Sequence, residues 1–278
     1  MKLWEAIVYG IFGGLTELLP VSFQGHIVFL QGAFNLSPLT GSGYFVRAAL
    51  CLGIAFAVLL SFSTESGSMG RELLKMTGLK KRRRKERGNL LLRRSILLCF
   101  FALIPLLLSF AYTAFAHRFT SLFYTALLFA LNGIVISVCF RRAPWDKTEA
   151  ETTVLDTLLM GLARAASVFP GLSSVGSSLA VGNVRGLARE YNLRLAYLLT
   201  LFYELAAFIY YLTFGFIYGS FSLSLILPIL VALFVATVSG YFGIQYLRYM
   251  MRHGKLDFFS YYCWTLTGIL LFLSVVNA

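Results

Sequence analysis

The sequence predicts an all-α polytopic membrane protein, arranged as an inverted repeat of six transmembrane helices and two re-entrant helical hairpins. Of its 278 residues, 58% are hydrophobic and 13% are charged, whereas a soluble domain has about 45–50% apolar and about 25% charged residues. Six segments are apolar and long enough to cross about 30 Å of hydrocarbon. Two further apolar segments are interrupted by proline and polar residues.

The first half of the chain, residues 1–142, contains one interrupted segment followed by three spans. The interrupted segment is 1–36, which is broken at Pro20. Proline removes a backbone donor and ends a helix, so this segment is predicted to enter and leave the membrane on one side. A basic loop at 63–94 follows the first span. The predicted spans are about 43–62, 95–112 and 119–140.

The second half, residues 143–278, repeats this plan. Its interrupted segment is 156–184, which is broken at Pro170 and the run GLSSVGSS. Three spans follow, and because three is odd, the second half is predicted to be inverted relative to the first. Inverted-repeat membrane proteins form their sites at the midplane, where broken helices meet. The predicted spans are about 195–217, 223–247 and 258–276.

The net charge of +12 is concentrated in one region. Eleven of the 24 basic residues lie between Arg71 and Arg94, including KKRRRKER at 80–87. Such a run is found in nucleic-acid-binding patches, but in a membrane chain it is more typical of a cytoplasmic loop. We therefore predict no nucleic-acid partner. With this loop inside, the other basic loops also lie inside and both termini lie outside.

The first interrupted segment carries two ionisable residues, Glu17 and His26, within TELLPVSFQGH at 16–26. A carboxylate within a membrane segment costs about 2.5–3.5 kcal/mol on insertion scales and is functional by default. A carboxylate and an imidazole can act as acid and base or bind a metal. The alternative is a polar pair that only braces the turn.

The second interrupted segment is rich in serine and glycine. The N–H groups at the start of a half-helix form an anion site, and serine hydroxyls add donors. This loop is therefore predicted to hold a phosphate or a carboxylate. The alternative is a tight turn in which the hydroxyls satisfy neighbouring backbone groups. The residues concerned are Ser173, Ser174, Gly176, Ser177 and Ser178.

Three more charges lie in membrane segments, namely Arg47, Arg164 and Glu204. A bare intramembrane charge is costly, so these residues are predicted to pair with one another or with a ligand anion. For the two arginines both an anion ligand and a structural Arg–Glu pair remain open. Asn132, inside the span 119–140, is predicted to hold neighbouring helices together by hydrogen bonds.

Two motifs resemble the undecaprenyl-pyrophosphate phosphatases, the BacA/UppP family. The first family signature reads E-G-x-T-E-x-x-P-V-S-S-T-G-H, and residues 13–26 read GGLTELLPVSFQGH. The second reads P-G-x-S-R-S-G-S-T, and residues 170–178 read PGLSSVGSS. GLARE at 186–190 is similar to the G-L-x-R-E of the family. The resemblance covers nearly the whole chain.

The resemblance implies a homodimeric enzyme of the bacterial inner membrane. Its substrate would be the polyprenyl lipid undecaprenyl pyrophosphate, hydrolysed to the monophosphate carrier of cell-envelope synthesis with the help of a divalent cation, Mg²⁺ or Ca²⁺. Glu17, Ser22 and His26 match the catalytic motif, with Glu17 at the metal. The predicted phosphate-binding residues are Ser173, Ser174, Gly176, Ser177, Arg47 and Arg164.

The chain departs from the family pattern at the expected site. The first acidic residue of the signature is Gly13 here, the proposed nucleophile is Phe23, and the pyrophosphate-binding arginine is Ser174, with Val175 beside it. Glutamate is usual where Arg47 stands, and glutamine where Arg164 stands.

Two hypotheses follow. In the first, the site is rewired, with Arg47 or Arg164 facing the meeting point of the broken helices near Ser174 and His26, and with His26 or Ser22 as the nucleophile. In the second, the chain is a catalytically inactive relative that binds or translocates a polyprenyl phosphate. The retained Glu17 and His26 favour a phosphatase. A small-anion channel is a weaker third hypothesis, because no continuous polar path is evident.

Overall fold

The computed structural model describes residues 1–77, 90–141 and 146–276 of the chain. Within these ranges the structure is helical, with no β-strand beyond an isolated bridge between Lys147 and Leu187. Short 3₁₀ turns precede α6, α8 and α10. The α-helices are α1 (Leu3–Leu18), α2 (Phe23–Phe34), α3 (Gly43–Ser61), α4 (Ser63–Met76), α5 (Leu90–Ala116), α6 (Leu122–Phe140), α7 (Val154–Ala165), α8 (Ser174–Val184), α9 (Arg189–Tyr218), α10 (Ile226–Arg252) and α11 (Asp257–Val276).

Six helices in the described ranges are long and apolar enough to cross a membrane, namely α3, α5, α6, α9, α10 and α11. The predicted polytopic all-α class is therefore confirmed. The main differences are at the helix ends. Helix α9 begins at Arg189, six residues before the predicted span, because its charged first turn continues the helix without adding to the apolar run.

The predicted basic loop 63–94 is partly helical. Residues Ser63–Met76 form α4, which follows α3 almost directly. Glu72 of α4 accepts a hydrogen bond of 2.6 Å from Arg93 Nε of α5, and this contact holds the polar helix against the bundle. The run KKRRRKER at 80–87 lies outside the described residues, so its predicted role stays a prediction.

In two places the chain forms two successive helices separated by a break, and a serine caps the helix that follows the break. We call α1 and α2 the first broken pair, and α7 and α8 the second broken pair. In the first, Ser22 Oγ accepts a hydrogen bond of 3.1 Å from Gly25 N. In the second, Ser173 Oγ accepts one of 3.0 Å from Gly176 N. Serine is favoured at this position because its oxygen satisfies an N–H group that the helix leaves unpaired.

Each broken pair is closed where its two ends meet. In the first pair, Glu5 near the start of α1 accepts hydrogen bonds of 3.0 Å from both the backbone N–H and the hydroxyl of Ser37, just beyond α2. In the second pair, Asp156 near the start of α7 accepts one of 2.6 Å from Arg185, which follows α8. The chain therefore enters and leaves each pair at the same end.

The two closures lie at opposite ends of the bundle. The closure of the second pair lies at the end where α6 stops and α9 starts, which we call the basic end. Ion pairs at this end include Lys147–Asp156, Arg194–Glu149 and Arg252–Glu190. The opposite end carries the α2–α3 and α5–α6 loops.

Small residues let the broken pairs approach the spanning helices closely. A Cβ atom added to Gly14 of α1 would overlap Ala236 O of α10, and one added to Gly161 of α7 would overlap Ala102 O of α5. Helices in membranes pack through such small residues because close backbone contact supplies dispersion energy. These contacts position both breaks along the axis of the helix bundle.

Candidate active site

The breaks of the two pairs contact each other directly. Ser22 Oγ accepts a hydrogen bond of 2.9 Å from Gly171 N, and Ser173 Oγ donates one of 3.2 Å to Leu19 O. Each capping serine thus bonds both to its own helix and to the backbone of the other break. This reciprocal contact sets the two half-helix N-termini side by side.

Asn132 of α6 links the same two breaks. Its Oδ1 accepts a hydrogen bond of 3.0 Å from Ser173 N, and its Nδ2 donates one of 3.2 Å to Pro20 O. The side chain is buried. The prediction that Asn132 holds neighbouring elements together is confirmed.

The breaks also require glycine where they touch. Gly171 has a φ of +118°, a conformation that other residues adopt only with strain. A Cβ atom on Gly25 would lie 2.9 Å from Gly171 N and 2.5 Å from the ring of Phe129. Glycine at 25 and 171 therefore determines how closely the broken pairs meet.

A buried charge cluster lies beside this meeting point. Arg164 of α7 contacts two carboxylates with one nitrogen, since its Nη2 lies 3.0 Å from Glu17 Oε1 and 3.4 Å from Glu204 Oε1. Arg164 is 1% exposed, and the two glutamates are 7% and 3% exposed. The prediction that the intramembrane charges pair with one another is confirmed for Arg164 and Glu204.

Ser174 extends the cluster to the second break. Its Oγ donates a hydrogen bond of 2.6 Å to Glu17 Oε1, so a carboxylate of the first pair holds a hydroxyl of the second. The other serines of the predicted cradle have different partners. Ser173 caps α8, and Ser178 Oγ donates to Ser174 O at 3.0 Å. Ser177 is half-buried on α8.

Part of the Arg164 guanidinium group has no acceptor. Its Nε and Nη1 atoms are buried and make no hydrogen bond within the described part of the chain. The ring of Tyr203 lies beside the group, with its centroid 4.8 Å from Cζ. Buried donors without partners are costly, so these N–H groups are available to an acceptor that reaches the cluster.

Arg47 of α3 lies nearby. Its Cζ stands 4.4 Å from the centroid of the Tyr211 ring. Its Nε atom is buried and has no hydrogen-bond partner among the described residues. Arg47 lines two cavities, a small one that also contacts Glu17, Ser174 and Glu204, and a large open one. It therefore stands between the charge cluster and the larger space.

The large cavity has a volume of about 720 Å³. It is lined partly by the α2–α3 and α5–α6 loops, so it lies toward the end opposite the basic end. Its walls combine aromatic rings with glutamine side chains and one arginine, as in ligand pockets that are mainly apolar with few polar groups. Its principal lining residues are Gln24, Gln31, Tyr44, Arg47, Val168, Pro170, Tyr203, Tyr211 and Phe214.

His26 lies apart from the charge cluster. Its Nδ1 is 2.5 Å from Ser22 O, and its Nε2 is 2.7 Å from the hydroxyl of Tyr262. The ring is 1% exposed and packs edge-on against Phe129. In the described structure no hydrogen bond joins His26 to Glu17, and His26 lines neither of the two cavities described above. The catalytic roles of His26 and Ser22 stay predictions.

Phe23 fills space beside Gly13. A Cβ atom on Gly13 would lie 3.4 Å from Phe23 Cε2 and 3.4 Å from Leu50 Cδ2. Both positions depart from the family signature, and the structure shows that the two departures share one site. The phenyl ring lies where a longer side chain at position 13 would have to go.

Sequence reasoning did not single out Cys51, Tyr203 and Tyr211, which line the small cavity. Helical spacing could have found them. Cys51 follows Arg47 by four residues on α3, and Tyr211 follows Tyr203 by eight on α9, and residues four or eight apart share a helix face.

The donor set fits a divalent cation poorly. Mg²⁺ and Ca²⁺ take six or more oxygen ligands, and the described residues contain no group of three His, Cys, Asp or Glu side chains that could hold a metal. Glu17 and Glu204 are the two carboxylates in the cluster, and Arg164 already contacts both. A cation between them would compete with this guanidinium group.

The sequence is similar to known proteins over nearly its whole length. The model of the family described as bacitracin resistance protein BacA matches residues 6–270. Proteins named undecaprenyl-diphosphatase are similar over the full length. The one from Methanobrevibacter smithii is 28% identical over 284 residues, covering 100% of this chain and 99% of that protein. The one from Carboxydothermus hydrogenoformans is 29% identical over 281 residues, covering 100% and 99%. The chain therefore belongs to the BacA family.

Proposed function

We propose that the chain is a membrane hydrolase that removes the terminal phosphate of undecaprenyl pyrophosphate and so regenerates the monophosphate lipid carrier of cell-envelope synthesis. Family membership and the names of the relatives support this activity. The observation that carries it is the buried hydrogen bond from Ser174 to Glu17, beside two arginines whose buried donors have no partner among the residues that the structure describes.

In this proposal Glu17 is the general base, and Ser174 is the hydroxyl that it activates. Ser174 Oγ attacks the terminal phosphorus while its proton passes to Glu17. The bond from that phosphorus to the bridging oxygen then breaks, and the lipid monophosphate leaves. Water subsequently hydrolyses the phosphoserine and releases phosphate. A hydroxyl held by a base within 2.6 Å is the usual arrangement of an activated nucleophile.

Arg47 and Arg164 bind the pyrophosphate in this proposal. Both carry guanidinium N–H groups that have no acceptor in the described part of the chain, and guanidinium groups form strong charge-assisted hydrogen bonds with phosphate. They supply the positive charge that the family pattern places at position 174. The aromatic wall of the large cavity suits the apolar chain that follows the head group.

We also propose that the broken pairs are re-entrant hairpins of an inverted repeat, comprising residues 1–142 and 143–278. The closures at opposite ends of the bundle and the reciprocal serine contacts support it. The predicted bacterial inner-membrane location, external termini and homodimer belong to the same proposal. Reporter fusions at both termini and light scattering of the purified protein test them.

The test of function is phosphate release from undecaprenyl pyrophosphate by the purified protein. We expect release by the unaltered chain and a loss of at least about 100-fold for Glu17→Gln. Glu5→Gln is the matched control, because it alters another buried carboxylate of α1 outside the cluster. His26→Ala and Ser22→Ala test the remaining catalytic predictions in the same assay.

The second hypothesis, binding or translocation without chemistry, makes a different prediction for this assay. It is favoured by Phe23 at the expected nucleophile position and by the enclosure of His26 between Ser22 and Tyr262. A folded protein that binds the lipid and releases no phosphate would support it. Release that Glu17→Gln leaves unchanged would contradict the proposed role of Glu17.

A further inference from the structure

We propose that Arg164 takes the place of a divalent cation in this site, so that phosphate release by this chain requires no divalent cation. The inference rests on the proposed phosphatase function and names the group that neutralises the substrate. It differs from the expectation of Mg²⁺ or Ca²⁺ that comes from the family resemblance.

The carboxylate contacts of Arg164 resemble those of a catalytic divalent cation. Catalytic Mg²⁺ is usually bound by one or two carboxylates and by substrate phosphates. Here Glu17 of α1 and Glu204 of α9 contact the same guanidinium nitrogen at 3.0 and 3.4 Å. These carboxylates belong to separate parts of the chain, so the positive charge is fixed from two sides.

Arg164 also retains donors for a phosphate. Its Nη2 serves the carboxylates, while Nε and Nη1 are buried without partners among the described residues. A guanidinium group carries five N–H donors in a planar fork that suits phosphate oxygens. The phosphate of the substrate would supply the missing acceptors, as it supplies ligands to a catalytic metal.

A guanidinium group and a metal ion exclude each other here. A cation bound by Glu17 and Glu204 would displace Arg164 from its carboxylates. That would leave a buried guanidinium group without a counter-ion, which is strongly unfavourable. The cluster thus predicts weak affinity for divalent cations as long as Arg164 is present.

The first experiment measures phosphate release by the unaltered protein after treatment with EDTA and after addition of Mg²⁺ or Ca²⁺. We expect the rates to agree within about twofold, because the charge of the site is part of the chain. A loss of more than about tenfold with EDTA, restored by Mg²⁺, would overturn the inference.

The second experiment measures metal binding without activity. Terbium(III) is a luminescent substitute for Ca²⁺ that tyrosine sensitises, and the Tyr203 ring lies 4.8 Å from Arg164 Cζ. We expect no saturable signal from this site in the unaltered protein. Arg164→Gln should create one site, displaced by Ca²⁺, because it leaves two adjacent carboxylates unpaired. The double variant R164Q/E204Q should lose that site.

Arg47→Gln is the matched control for terbium binding. It removes a positive charge from the same cavity without releasing either carboxylate, so we expect no new site. If Arg164→Gln does not fold, terbium binding is compared between the unaltered protein and Glu204→Gln. A saturable signal that Glu204→Gln abolishes contradicts the inference, and the lack of such a signal supports it.

The two proposals fail in different ways. If the folded protein releases no phosphate with or without cations, the proposed function fails. The terbium measurement then still decides whether Arg164 occupies the cation position. If phosphate release requires Mg²⁺, the function stands and the inference about Arg164 fails.

Discussion

The first and second broken pairs share a backbone arrangement but differ in the residue that follows the capping serine. Ser22 and Ser173 cap their helices in the same way, at 3.1 and 3.0 Å, and each reaches the backbone of the other break. After Ser22 comes Phe23, which is buried. After Ser173 comes Ser174, which donates to Glu17.

In the proposed site this difference divides the functional groups between the two pairs. The first pair contributes a carboxylate, Glu17, and the second contributes a hydroxyl and a guanidinium group, Ser174 and Arg164. The contacts that bring the breaks together also use glycine, the two capping serines and Asn132. Two similar caps can therefore carry an asymmetric site, because the residue that follows each capping serine differs.

The largest effect is expected for substitution of Ser174, the residue that follows the capping Ser173. Ser174→Ala should lower kcat for phosphate release by at least about 100-fold, since it removes the proposed nucleophile and leaves the cap in place. Ser178→Ala, one turn later on α8, is the matched control and should retain most activity. Substrate labelled in the terminal phosphate should label the unaltered protein and leave S174A unlabelled. Full activity of S174A would show that another group is the nucleophile.

The next prediction concerns Phe23, which follows the capping Ser22, together with Gly13. Gly13→Glu should destabilise the protein by about 3 kcal/mol, because the side chain must displace the Phe23 ring and bury a carboxylate. Phe23→Ser should also destabilise, by leaving a cavity. In the double variant the combined loss should be smaller than the sum by at least about 1 kcal/mol. Unfolding of the purified variants in detergent measures this coupling.

Gly13→Ala is the control for this cycle. Its Cβ would lie at 3.4 Å from Phe23 and Leu50, a tight but tolerable distance, and alanine favours helix over glycine. We expect a change within about 1 kcal/mol. Strictly additive effects of G13E and F23S would show that the two departures from the family pattern are independent.

Much of the fold was predictable because spanning a bilayer requires long apolar runs, and these are visible in the sequences of α3, α5, α6, α9, α10 and α11. Helix α4 was missed because residues 63–76 are polar, and such a helix is stabilised by contacts such as Glu72–Arg93 rather than by its own composition. The breaks at Pro20 and Pro170 were visible, since proline and glycine act locally. The bonds between the breaks join residues about 150 positions apart, and local patterns carry no signal for them.

The site was only partly predictable. The cost of a buried charge identified Glu17, Arg164 and Glu204 as residues that need partners, but the pairing depends on how α1, α7 and α9 pack. His26 was grouped with Glu17 because both belong to one motif. The break between them turns the chain, so the imidazole faces Tyr262 while the carboxylate faces Arg164.

The smallest expected effect concerns the closure of the second broken pair at Asp156. Burial alone would raise the pKa of this carboxyl, but hydrogen bonds from Lys147, from Thr153 N and from Arg185 lower it to about 2, against an ordinary value of 3.8. The stability that this depressed pKa provides is present above about pH 4 and is lost as the pH falls toward 2.

Asp156→Asn should therefore reduce the free energy of unfolding at pH 6 by at most about 2 kcal/mol and should flatten its decline between pH 4 and pH 2. Glu190→Gln, which removes an exposed carboxylate paired with Arg252 at the same end, is the control and should change stability little. Thermal unfolding across this pH range measures both variants. If Asp156→Asn kept the full acid sensitivity of the unaltered chain, that sensitivity would come from other groups, and the closure of the second pair would depend on the apolar packing of α7 and α8.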